Sequence, residues 1–487
     1  MIFNSVDFLL FFPVVYCLYL VSNFRVQNIL LLLASYFFYG YWDYRFLSLL
    51  ALSTIIDYFT SIGIHQAKTE NEKKAYLYLS MIANLGMLGF FKYFNFFISS
   101  TATLLNTFGF HPNIPVLEIA LPLGISFYTF QTMSYTIDVY RGQLVPTKNF
   151  WDFALFVSFF PQLVAGPIER ATNLLPQILS KRVVTFEEIQ RGTFLILLGY
   201  FKKVYVADNL ALIVDPIFND NNSSGAMIFF GLFAFHLQVY GDFAGYSDIA
   251  RGLAKFLGFE LMRNFAHPMF SENVMEFWRR WHISFMSWLR DYVYFSIGKK
   301  EDSETKKNIN NLFVYSLSGL WHGASWSFVI WGTLNGITTL FYKYFNKFFP
   351  PRTVPYQNKF VGGMVRLTKI AITFTAVTLP LVFFRSKNLE EAYFHMKSML
   401  FNWSGGVNID PKSFVLGKEY GFDPKQLEKF FKTIFLLYLV EFYQFSKDDE
   451  FAIFKLPVYL RVLLYVSLFY AIIILGNFSD AFIYFVF

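Results

Sequence analysis

The sequence predicts an all-helical protein embedded in a membrane, and three observations carry that prediction. Of its 487 residues, 55% are hydrophobic and only 15% are charged, whereas soluble domains average about 25% charged. Apolar runs approaching the length that crosses a bilayer, about 20 residues, recur along the whole chain. Lysine and arginine fall in short clusters between those runs. The net charge of +7 therefore reads as membrane topology and not as a surface for nucleic acid.

The elements follow in order. The opening stretch "MIFNSVDFLLFFPVVYCLYLV" has no basic amino-terminal region and no small-residue cleavage site, so it reads as a retained span and not a signal peptide. Its Cys17 is the single cysteine and has no intramolecular disulfide partner. Candidate spans are 6–21, 28–42, 46–64, 76–98, 118–137, 190–213, 226–241, 324–342, 367–385, 431–443 and 457–475. Segment 309–321 is a further crossing or half of a broken one. The expected bundle has about 11–12 transmembrane helices. Arg25, then Lys68, Lys73 and Lys74, then the groups Arg141–Arg182, Arg251–Lys307 and Lys343–Lys359 mark one side. Loops 99–117 and 214–225 contain neither lysine nor arginine. The positive-inside rule places the basic loops in the cytoplasm and the amino terminus outside.

Two stretches are not simple spans. Residues 150–170, "FWDFALFVSFFPQLVAGPIER", are apolar but broken by Pro161, Gly166 and Pro167. Residues 272–298 interleave charged groups with aromatics. Irregular backbone survives at membrane depth only where protein or a water-filled cavity shields it, so both read as re-entrant or interfacial elements. No fixed-period repeat, soluble-domain stretch or linker appears. The expectation is one integral membrane domain over 1–487.

Ionisable groups inside such sequence need a reason, because a charge at a helix centre costs roughly 2.5 kcal/mol or more. Two of the seven histidines, His282 and His322, lie beside tryptophans in the two most unusual segments. As one helix, 276–291 would put Trp278, His282 and Met286 on one face. A histidine bonded to a backbone carbonyl in the core is one reading. A neutral imidazole serving as a general base for a hydroxyl is the other. Gly319 and Gly323 beside His322 suit a break in the helix or a small-residue helix contact. The spacing is poor for a metal site, and no nucleophile elbow of the G-x-S-x-G kind is present.

The segments "EFWRRWHISFMSWLRDYVYFSIGKK" (276–300) and "LSGLWHGASWSFVIWGTLNG" (317–336) resemble the two signature regions of the membrane-bound O-acyltransferase (MBOAT) family. Further matches are "LPLGISFYTFQTMSYTIDVYRG", "FFPQLVAGPIER", "GYFKKVYVADNLA", "YGDFAGYSDIARGLAKFLGFEL" and the ending "FIYFVF". They are most similar to the bacterial branch that acetylates alginate or peptidoglycan and includes the teichoic-acid D-alanyl transferase. The resemblance implies a multi-helix bundle around a trans-bilayer tunnel. It implies that His322 is catalytic and His282 the second active-site histidine. Acyl groups would pass from a cytoplasmic thioester, acetyl-CoA being the expected donor, to an external hydroxyl. In this branch a carboxy-terminal tyrosine, here Tyr484, is proposed to carry the acyl group. An aromatic interface anchor is the other reading of that tail.

Arg279, Arg280, Lys299 and Lys300 are candidates for the phosphates of coenzyme A, or ordinary topological charge. Asp242 and Asp248 line the tunnel or cap a helix end, and Lys202 and Lys203 read as snorkelling to the interface. The function expected is an inner-membrane O-acetyltransferase that serves an envelope polysaccharide through an extracytoplasmic hydrolase-like partner. The alternatives are a D-alanyl, lipid or protein acyltransferase of the same family, or a transporter or flippase. The last would show paired related halves, which are not evident.

Overall fold

A computed structural model describes residues 1–112, 117–220, 223–350, 358–403 and 424–479. Among these residues every regular element is helical. Among the described residues four helical stretches are long and apolar enough to cross a membrane: Phe24–Gln66, Glu70–Thr107, Gly225–Phe256 and Lys359–Thr378. The first joins two helices across a 3₁₀ turn at Tyr44–Phe46. Val6–Val21 and Val458–Ile473 are shorter apolar helices. Three predicted spans are interrupted, 76–98 by a π-helical segment at Gly89–Tyr93. A π-helical segment, Phe201–Ala207, breaks 190–213, and 367–385 divides at Leu379–Pro380.

The chain divides into two compact units, Met1–Ile196 with Ile249–Met262, and Leu197–Asp248 with Arg263–Phe487. In the first, every residue from Ile125 to Val139 of the Ile125–Tyr140 helix is buried. That helix starts seven residues later than the predicted 118–137 span. Gly124 precedes it at φ 73°, and a Cβ there would press on the Leu163 carbonyl, so glycine suits the site on both counts. A polar knot ties this helix to two neighbours. Fully buried Asp57 accepts from Asn84 Nδ2 (2.8 Å), Thr136 Oγ1 (3.1 Å) and the Ser80 hydroxyl. The 150–170 stretch forms helices of nine and four residues, Phe150–Ser158 and Phe160–Leu163. Nine residues rise about 14 Å, too little to cross a bilayer, and apart from Phe150 and Trp151 these residues are buried in protein, as broken backbone at membrane depth requires.

The second unit contains both candidate histidines. Helices Glu304–His322 and Trp326–Phe348 form an antiparallel hairpin whose close approach rests on glycine. A Cβ on Gly319 would strike the Phe328 carbonyl, and one on Gly332 the Tyr315 carbonyl. Gly319 is thus the small-residue contact, whereas Gly323 marks the break, because the first helix ends at His322.

Candidate active site

His322 is the last residue of its helix. The Gly323 N–H still donates to Gly319 (3.4 Å), the chain then turns extended, and Ser325 caps the next helix through its hydroxyl. His282 reaches the same region by a different route. The predicted continuous helix over 276–291 does not form, so Trp278, His282 and Met286 do not share one helical face. Helix Val274–Arg280 stops, His282 takes a left-handed conformation (φ 47°, ψ 51°), and helix Ile283–Trp288 restarts. Such a conformation costs a non-glycine residue roughly 1 kcal/mol or more and persists where the surroundings impose it. Asn264 imposes it here. Its carbonyl accepts from Ile283 N (2.9 Å), and its Oδ1 accepts from Ser284 N (3.3 Å) and Oγ (3.0 Å). Its own Nδ2 donates to Ser247 (3.2 Å).

The two imidazoles meet with ring centroids 6.2 Å apart, and only 1% of His282 and 6% of His322 is exposed. Aromatic rings enclose them. Phe285 lies 4.8 Å from His282 and 5.6 Å from His322. Phe243 stands edge-on to His282 at 4.6 Å. Trp331 and Phe384 close on His322 at 5.1 and 5.5 Å. Neither ring nitrogen of His282 has a hydrogen-bond partner among the described residues. A core histidine satisfied by a backbone carbonyl is therefore not what the fold builds. Buried polar groups are normally bonded, and an unpaired one calls for a specific reason.

A cavity of about 360 Å³ in the same unit is lined in part by Trp278, Arg279, Met286, Arg290, Tyr315 and Thr339, and by Ile283, which follows His282 in the chain. Trp278 packs against Trp331 (6.3 Å) and so connects the cavity wall to the ring beside His322. Of the four basic candidates, Arg279 alone lines this cavity. Arg280 turns away, since successive helical residues point about 100° apart. It pairs with Glu276 (2.9 Å), donates to Ala266 O (3.1 Å) and stacks on Phe445. Lys299 and Lys300 are exposed in the 298–303 loop. There the Lys299 amide donates to Asp302 (2.7 Å), and the hydrogen bond from Lys306 holds the Asp302 carboxyl below its usual range. Tyr484 lies outside the described residues. Before it, Asn477 N donates to Val204 O (3.1 Å) and Ser479 N to the Asp208 carboxylate (3.4 Å). Among the described residues no group of three or more His, Cys, Asp or Glu gathers to hold a metal ion.

Two expectations about charge are corrected. Lys202 and Lys203 do not snorkel; both are buried. Lys202 Nζ lies 3.0 Å from Asp248 and 3.1 Å from Glu441, and Lys203 Nζ lies 2.8 Å from both Asp208 and Asp242. Asp242 and Asp248 do not cap a helix end either. They stand inside the 32-residue Gly225–Phe256 helix. The π-helical segment turns both lysines inward, and it fits because Gly241 and Gly245 approach the Lys202 carbonyl and Lys203 amide. Sequence reasoning missed Glu441 altogether. Its signal was present: intramembrane charges of both signs pair with one another.

A family model described as MBOAT, membrane-bound O-acyltransferase family, matches residues 143–384. A probable alginate O-acetylase AlgI of Azotobacter vinelandii is 39% identical over 395 residues, which covers 81% of this chain and 77% of that protein. A peptidoglycan O-acetyltransferase of Helicobacter pylori is 34% identical over 433 residues, covering 82% and 80%. A teichoic acid D-alanyltransferase of Bacillus subtilis is 28% identical over 250 residues, covering 48% and 62%.

Proposed function

The chain belongs to the membrane-bound O-acyltransferase family, and from that premise we propose that it moves acetyl groups from a cytoplasmic thioester to hydroxyls of an extracytoplasmic polysaccharide. The observation that carries this reading is the pair of buried imidazoles, 6.2 Å apart, linked through the Trp278–Trp331 contact to the wall of a cavity that bears Arg279. Acyl transfer needs a base for the hydroxyl, a path for the thioester and exclusion of water. The aromatic shell supports the last of these.

His322 accepts the proton of the attacking hydroxyl and returns it to the departing thiol. His282, with two ring nitrogens open to a ligand, binds or orients the reacting groups. Arg279 holds the phosphates of acetyl-CoA by charge-assisted hydrogen bonds. Tyr484 receives the acetyl group and passes it to the external acceptor. A phenol with a pKa near 10 leaves more readily than an aliphatic alcohol, so the ester on it stays activated. The basic loops support a cytoplasmic donor side, and the bacterial relatives support an inner membrane. The acceptor is alginate-like or peptidoglycan, the two polymers in the names of the relatives. A secreted hydrolase-like partner completes delivery, and the whole chain works as one membrane domain.

Deleting the gene and measuring ester-linked acetate on each isolated envelope polymer tests the reading. Acetate should fall on one polymer and return with the wild-type gene but not with His322→Ala. Unchanged acetate on every polymer would refute it, and loss of D-alanyl ester instead would move the chain to the D-alanyl branch.

A further inference from the structure

The paired histidines supply a base but leave a second requirement open. When a hydroxyl attacks a thioester, the carbonyl oxygen becomes an oxyanion, and a preorganised donor aimed at it is commonly the largest single contribution to such catalysis. We propose that the indole N–H of Trp331 is that donor. This rests on the acyl-transfer reading of the site.

Four observations support it. Trp331 is 5% exposed, and its Nε1 has no hydrogen-bond partner among the described residues. Buried indole N–H groups usually find one, so this donor awaits something not supplied by the fold. Its ring stands edge-on to His322, centroids 5.1 Å apart at 88°. The base reaches the attacking oxygen at about 3 Å, and the donor reaches the carbonyl oxygen at about 3 Å on the other side of the reacting carbon. A separation of that order is what the reaction needs. The ring is also held by packing: Phe384 lies against it at 5.0 Å and Trp278 at 6.3 Å.

The fourth observation is the track on which Trp331 sits. Ser327, Trp331, Asn335 and Thr339 recur every four residues and so share one face of their helix. Ser327 Oγ and Asn335 Oδ1 are likewise buried without a partner among the described residues. Thr339 lines the 360 Å³ cavity. A polar edge thus leads from the cavity to His322, suited to a thioester arm that carries amide groups. Trp278, in the cavity wall and also with an unpartnered Nε1, belongs to binding of that arm and not to the oxyanion.

In the step itself the acceptor oxygen forms a bond to the carbonyl carbon while its proton passes to His322. The carbonyl electron pair moves to oxygen, where Trp331 Nε1–H stabilises it. Collapse breaks the C–S bond, and the thiolate takes the proton from His322.

The test removes the N–H and keeps the shape. Full-length protein in nanodiscs carries β-(benzothien-3-yl)alanine at position 331 or, separately, at 278, with Trp331→Phe as a second variant. Thiol release from acetyl-CoA in the presence of glycan oligosaccharides gives kcat and KM. At 331, kcat should fall about 100-fold or more, as loss of one oxyanion donor does elsewhere, with donor KM little changed. At 278, KM should rise with kcat near wild type. A kcat within about threefold of wild type at 331, or a change confined to KM, overturns the proposal while leaving the acetyltransferase reading intact. Absence of any thiol release by wild-type protein, even the single turnover that loads Tyr484 and needs no partner, overturns that reading and this proposal with it.

Discussion

Replacing Lys202 with methionine tests whether the buried charges are structural. Lys202 Nζ sits 3.0 Å from Asp248 and 3.1 Å from Glu441, and all three side chains are nearly or fully inaccessible. At an effective dielectric of about 20, each attraction is about 5.5 kcal/mol, roughly 11 kcal/mol for the two before the mutual repulsion of the carboxylates is subtracted. Desolvation of three ions offsets several kcal/mol apiece, so the intact cluster adds little net stability. Removing one partner is different, because the remaining charges stay buried without their counter-ion. Such a loss costs about 3–5 kcal/mol. Methionine keeps most of the lysine stem, so packing contributes little to the change. Lys202→Met should therefore lower the unfolding midpoint in detergent, read by tryptophan fluorescence against denaturant. The triple variant Lys202→Met/Asp248→Asn/Glu441→Gln should recover most of the loss, since neutral replacement of a whole buried cluster is often near neutral. The amide oxygen introduced by Glu441→Gln would still accept the hydrogen bond that Tyr240 donates to Glu441. A snorkelling lysine would tolerate Lys202→Met without loss. An unchanged midpoint, or a triple variant no better than the single, would refute the reasoning.

The site gives further expectations. His322→Ala should reduce transfer by about 10²–10⁴-fold at unchanged protein level and melting behaviour, and near-normal polymer acetylation by that variant would remove His322 from the chemistry. His282→Gln, which can still bond a ligand, should retain measurable transfer if His282 orients the reactants; complete loss would assign it a proton-transfer role. Arg279→Gln should raise the KM for acetyl-CoA about tenfold or more with kcat little affected, whereas Arg280→Gln should mainly lower stability by freeing Glu276. An unchanged KM for Arg279→Gln would separate the cavity from the donor phosphates. Tyr484→Phe should abolish polymer acetylation at normal expression, and acetyl trapped on Tyr484 should appear in the mass of the carboxy-terminal peptide; normal acetylation would leave the tail as an anchor.

How much of this was legible in the sequence depends on the range of the forces involved. Hydrophobic runs report burial or lipid over a whole helix, so the helical class and the positions of Val6–Val21, Phe24–Asp43 and Val458–Ile473 followed closely. Breaks that proline or glycine announces, as in 150–170 and at Gly323, were also visible. His282 was different. Local spacing favours a helix through 276–291, and the left-handed turn that replaces it is imposed by Asn264, a residue 18 positions earlier that no local window includes. The same holds for Lys202 and Lys203. A lysine in an apolar run has two acceptable fates, snorkelling to the interface or pairing inside, and nearby sequence does not choose between them. For Lys202 the choice is made by Asp248 and by Glu441, 239 positions away, for Lys203 by Asp208 and Asp242, and for both by two glycines that let the Gly225–Phe256 helix approach the lysine backbone. The two histidine motifs fall between these cases. Each could be singled out as costly in hydrocarbon, and that cost is local. Their convergence to 6.2 Å, and the polar edge of Ser327, Trp331 and Asn335 that runs past His322, depend on two helix breaks that place two short helices and the ends of two longer ones around one space. A buried polar atom without a partner becomes visible only once the fold has used up the alternatives, and for that reason Trp331 passes in the sequence as one more aromatic residue in a membrane helix.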